Sequence, residues 1–86
     1  MKNMYDKPKK CGIMEGFMNK RLTNEDNTTY YMGRAILNLW QKCDGNRTLD
    51  DLVKLMSEEN TKTEYTAALI KEMLDLLETR KLITYT

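Results

Sequence analysis

The sequence predicts an α+β domain, with short β-type segments in the N-terminal half and three amphipathic helices after them. Three observations carry this. Thr28-Thr29-Tyr30-Tyr31-Met32 concentrates β-branched and aromatic residues. Residues 32–56, MGRAILNLWQKCDGNRTLDDLVKLM, read as a helix, a tight Gly turn and a capped helix. The segment from Glu64 to Arg80 keeps an apolar face at helical spacing. Strands first and helices afterwards is the α+β order, not the alternation of a parallel sheet.

In chain order, residues 1–8 read as a flexible N-terminal arm ending at the only Pro, Pro8, and residues 9–86 as a single domain. Cys11 to Met14 and Phe17 to Leu22 predict a hairpin turning at Glu15-Gly16. Thr23 to Asn27 is a polar turn of Thr, Asn and Asp. Thr28 to Met32 is the best strand.

The first helix is expected over Gly33 to Lys42, with Ile36, Leu39 and Trp40 inward. Asp44-Gly45 stops it, because Gly tolerates the left-handed backbone of a helix C-terminus. Thr48 caps a second helix, Leu49 to Glu59, with Asp51 in the carboxylate place of a capping box. The third helix, Glu64 to Arg80, has Thr61 or Thr63 as its cap. Thr66, Ile70, Met73, Leu74 and Leu77 share its main face, flanked by Tyr65, Leu69 and Leu76. Leu82 to Tyr85 forms a β-like tail.

Composition narrows the function classes. The chain has 86 residues, 41% hydrophobic and 31% charged, an ordinary globular balance near the lower size for an unassisted core. A net charge of +1 gives no bulk electrostatic case for nucleic acid. No apolar run approaches the ~20 residues that cross a bilayer, and residues 1–10 do not resemble a secretory signal. The cytosol is the expected location. The two cysteines, Cys11 and Cys43, without a single His, make a poor zinc site and fit small buried hydrophobes. No nucleophile–base pair, metal cluster or phosphate loop is visible, so neither catalysis nor a cofactor is expected.

The stretch from Met32 to Val53 resembles the PqqD-like family, the RiPP recognition elements that bind precursor peptides of ribosomally made natural products. Ile36, Leu39 and Trp40 match the family's apolar helix. Asp44-Gly45 match its turn, Arg47-Thr48 its basic-Thr pair, and Asp51-Leu52-Val53 its second helix. Arg80-Lys81-Leu82-Ile83 is similar to its ending, where a basic residue and Gly precede apolar residues. The likeness covers roughly residues 8–84. It departs at Lys42, where an apolar residue is usual, and at Met32-Gly33, where Leu-Asn is usual.

The resemblance implies a winged-helix-like fold, a small three-stranded antiparallel sheet followed by a three-helix bundle, and a peptide chaperone's work. The leader segment of a ribosomal precursor peptide would add as a strand beside Thr28, Thr29, Tyr30, Tyr31 and Met32. The helical wall would come from Tyr65, Leu69, Lys71, Glu72, Met73, Asp75 and Leu76. A separate modifying enzyme, a radical SAM maturase or a leader peptidase, would act on the held peptide. Packing is the competing role for the apolar members of this set, and a solvated face for the charged ones. The alternative function is a winged-helix DNA-binding protein, against which stand the carboxylates of the second and third helices. A partner-binding domain unrelated to modified peptides is a third reading. No nucleic-acid or membrane partner is expected, and the open strand edge leaves a homodimer in play.

Overall fold

The computed structural model describes Asn3 and residues 5–85. Its elements run β1 (Pro8–Lys10), β2 (Ile13–Glu15), β3 (Arg21–Thr23), β4 (Thr29–Tyr31), α1 (Arg34–Lys42), α2 (Leu49–Glu59), α3 (Ala67–Thr79) and β5 (Ile83–Tyr85). β2, β3 and β4 form an antiparallel sheet in that order, while β1 and β5 form a separate antiparallel pair. The α+β class and the three-stranded sheet ahead of three helices are as expected. The β1–β5 ribbon is an addition.

That ribbon corrects the reading of the N-terminus. Pro8 is fully buried and opens a strand, not the end of a loose arm. On one side Pro8 pairs with Tyr85 and Lys10 with Ile83. On the other, the Lys10 N–H donates to the Cys43 carbonyl at 2.8 Å, and the Gly45 N–H to the Pro8 carbonyl at 2.9 Å. β1 is thus wedged between the C-terminal strand and the α1–α2 junction. A proline fits because the first residue of a strand can spare its N–H. Gly12, just after β1, has φ +84, and a Cβ there would collide with the Thr23 carbonyl oxygen.

In the three-stranded sheet, Met14, Leu22 and Tyr30 lie opposite one another and face the core, with Leu22 fully buried. Phe17 to Lys20, expected within the second strand, belong to the connecting loop. Met18-Asn19-Lys20 has no β-branched residue to hold a strand.

The helix starts follow their caps. Thr48 Oγ1 accepts from the Asp51 N–H at 3.4 Å while Asp51 Oδ2 accepts from the Thr48 N–H at 3.0 Å, so the box forms with Asp in place of Glu. Those bonds, the backbone one foremost, hold the Asp51 carboxyl below its usual range. α3 starts later than expected, capped by Thr66, whose hydroxyl accepts from the Leu69 N–H at 3.1 Å. Tyr65 and Ile70 then take the two positions of a hydrophobic staple, and both are buried. Gly45, with φ +82, makes the expected left-handed turn after α1. α3 closes in a Schellman motif: the Leu82 N–H bonds the Leu77 carbonyl at 2.8 Å and the Lys81 N–H the Glu78 carbonyl at 2.9 Å. Lys81 carries the positive φ of 58 that the motif needs, in a place where glycine is common.

Leu39, Trp40, Leu52, Met56, Ile70, Leu74, Leu77 and Leu82 are central to one core. Lys42 borders it as an apolar residue would. Its stem is buried, and its ammonium reaches Asn38 Oδ1 and Glu59 Oε2, both at 2.6 Å. This pins the end of α1 to the end of α2. Of the cysteines, both free, Cys43 is the buried hydrophobe expected, its thiol pushed up to about 12 chiefly by burial. Cys11 is only half-buried, because it sits where the chain turns out of β1 toward the surface.

Two outcomes are expected. Gly12→Ala should cost on the order of 2–4 kcal/mol in urea unfolding, since left-handed strain and displaced backbone add. The Glu59 carboxyl is held below its ordinary 4.5, first by the Lys42 ammonium and then by the Asn38 amide. A lowered pKa contributes stability that is complete above the ordinary value and lost as pH falls through the folded-state value. Glu59→Gln should therefore lower the urea midpoint at neutral pH, and its gap from the unsubstituted protein should close as pH drops below 4.5.

Candidate functional site

β4 is an outer strand, and the phase of its ladder decides which of its amides are free to pair. The Asn24 N–H donates to the Thr28 carbonyl at 2.9 Å. Antiparallel ladders alternate, so Leu22 and Tyr30 also form a hydrogen-bonded pair, whereas Thr23/Thr29 and Arg21/Tyr31 do not. The Thr23 and Thr29 hydroxyls, 2.9 Å apart, suit the closer side chains of the second kind. The backbone groups of Thr29 and Tyr31 consequently point away from β3, toward the open side.

The turn before this strand is tied down. Asn24 Oδ1 accepts from the N–H groups of Asp26 and Thr28, at 3.0 and 2.9 Å, and Asn24 Nδ2 donates to the Arg80 carbonyl at 2.9 Å. β4 therefore keeps a set position relative to the end of α3. The Arg80 guanidinium lies over the Tyr30 ring, 4.6 Å from its centroid. That stacking half-buries Tyr30, whereas Tyr31, on the opposite face, is 74% exposed. Strand alternation thus sends one tyrosine inward and one outward, as expected.

The α3 residues assigned to the wall separate into three groups. Tyr65 and Met73 are buried in the core, each 8% exposed, and offer little surface. Leu69, 37% exposed, and the half-buried Leu76 fall on one helical stripe with Arg80, beside the exposed Glu72. Of these, Arg80, just past the end of α3, is the residue that reaches β4, through Tyr30. Lys71 and Asp75 share the other flank, on the side of β5, where Asp75 and Glu78 help raise the Tyr85 hydroxyl's pKa after burial itself. Thr28 and Thr29 are exposed and Met32 is half-buried.

A second surface was not anticipated. Tyr31 and the half-buried Met32 line a groove of about 780 Å3 between the β2–β3 loop and α1. Met14 and Leu37 contribute apolar surface, and Lys20 and Arg34 are the charged lining residues. Gln41 Nε2 donates to Met14 Sδ at 3.6 Å within this lining. One signal of this site is present in the sequence. Arg34 opens α1, where an acidic residue would suit the helix dipole, and the N-cap Gly33 supplies no side-chain bond.

Among the described residues no group of three or more His, Cys, Asp or Glu is placed to hold a metal ion, and no helix is long and apolar enough to cross a membrane. Compared with protein-family profiles, curated proteins and solved structures, the chain finds no match.

Proposed function

We propose that this chain is a PqqD-like recognition module, non-catalytic and cytosolic, which binds the leader segment of a ribosomal precursor peptide. It would present that peptide to a separate modifying enzyme, such as a radical SAM maturase. The observation that carries the reading is the edge of β4. Thr29 and Tyr31 offer outward backbone groups, and Arg80, just past the end of α3, stacks on Tyr30 and ties the helix end to the strand.

An added strand gains main-chain hydrogen bonds with little demand on its sequence. Specificity would come from the α3 side, where Leu69 and Leu76 suit apolar anchors and Glu72 a basic neighbour. Holding the leader away from the chemistry raises the local concentration of the remaining peptide at the catalyst. The DNA-binding alternative has less support. α2 opens on Asp50 and Asp51 and ends on Glu58 and Glu59, and α3 exposes Glu72 and Glu78, so both would repel phosphates.

The test is amide NMR of labelled protein titrated with the leader segment of a small peptide encoded nearby. Shifts should concentrate at Thr28 to Met32 and along Leu69, Glu72, Leu76 and Arg80, while duplex DNA leaves them unmoved. Thr29→Pro removes an outward N–H and obstructs the edge. It should weaken leader binding roughly tenfold or more with the helices intact by circular dichroism. Undiminished affinity in that folded variant would count against strand addition here.

A further inference from the structure

The geometry points to a second docking site: the groove between the β2–β3 loop and α1 takes an acidic polypeptide segment carrying an apolar anchor, supplied by a protein partner. The reading goes beyond leader capture at β4 and does not depend on it.

Shape and chemistry argue for a polypeptide. The groove, about 780 Å3, is lined by the half-buried Met14, Met32 and Leu37 and by the exposed Tyr31. Thioether and aliphatic surface of this kind adapts to large apolar side chains. Beside it, Phe17 and Met18 stand at the loop tip 95% and 86% exposed. Exposed apolar side chains beside a groove are the kind of surface that marks docking sites.

Charge selects the kind of segment. The lining has two cations, Lys20 and Arg34, and no carboxylate. Among the described residues neither cation is in an ion pair, whereas Arg21 is paired with Glu15, Lys42 with Glu59, Arg47 with Asp44 and Lys81 with Asp26. Glu59, which accepts from the lining Asn38, is itself paired with Lys42, so its charge is already met. All the lining residues come from residues 1–47, which hold nine Lys and Arg against five Asp and Glu, net +4. A partner carboxylate would meet Lys20 and Arg34 as its neighbour settles on Met14, Met32 and Leu37. The same complementarity disfavours a second copy, whose most exposed apolar side chains, Phe17 and Met18, sit on the same loop as the cationic Lys20 and away from its acidic helices.

The experiment is selection of a displayed random twelve-residue peptide library on the immobilised full chain. Enriched peptides are then tested individually on the Lys20→Glu/Arg34→Glu double variant and on Thr29→Pro. Both reversed side chains are exposed, so the fold should be unaffected, as circular dichroism checks. The expected result is acidic peptides with one large apolar residue, whose affinity falls roughly tenfold or more on the double variant and with added salt. They should bind Thr29→Pro unchanged and shift the amides of Lys20, Met32, Arg34 and Leu37. Neutral or basic consensus peptides, equal binding to the double variant, or no enrichment would each overturn the proposal. Peptides lost on Thr29→Pro but not on the double variant would overturn it too, while supporting strand addition at β4. Concentration-dependent self-association abolished by the double variant would replace the partner with a second copy and equally overturn it.

Discussion

The carbonyl of Leu82 is the point on which the domain turns. It accepts the Cys11 N–H at 2.8 Å and the Trp40 Nε1–H at 2.9 Å, and Leu82 itself is fully buried. Those donors come from the β1–β2 junction and from the last turn of α1. A buried carbonyl with both lone pairs used is costly to disturb, because each donor left unpaired pays its full desolvation. The carbonyl is aimed by the Schellman closure of α3, with Lys81 accepting a left-handed backbone to make it. One residue thus joins the two ends of the chain, the first helix and the last.

Local rules account for what could be foreseen. α2 was bounded by its own residues, because Thr48, Asp51 and Gly45 act within a few positions of one another. Trp40 and the Ile70–Met73–Leu74–Leu77 face followed from helical spacing. What escaped was non-local. Pro8 gives no sign of strand until β5 and the Cys43–Gly45 segment arrive on its two sides. Thr66 outcompetes Thr61 and Thr63 as a cap because starting there buries Tyr65 against the same core as Ile70, a tertiary gain that no cap preference encodes.

The candidate sites divide in the same way. Strand alternation foretold that Tyr30 and Tyr31 would part company. Only the ladder phase, fixed by Asn24 and Thr28, says which amides look outward. The tie between the end of α3 and β4 became legible through Arg80, a residue whose place near the helix end suggested a dipole partner rather than a lid over Tyr30. Arg34 broke a local rule at the start of α1, and the groove it lines gives that departure a physical context. Lys42, the oddest residue for its position, proves conservative: a buried stem with its charge carried to Glu59.

The β1–β5 ribbon also sets how the domain answers to force. Its strands are antiparallel with Pro8 opposite Tyr85, so the outer ends of both lie at the same end of the ribbon. Tension applied through the two chain ends peels these strands apart one hydrogen bond at a time, where a shearing geometry would load them together. A pull applied between Pro8 and Tyr85 thus meets the ribbon in its mechanically weakest orientation. Once it opens as far as its inner end, the Cys11 N–H loses its acceptor at Leu82, and β1 keeps only its bonds to the α1–α2 junction.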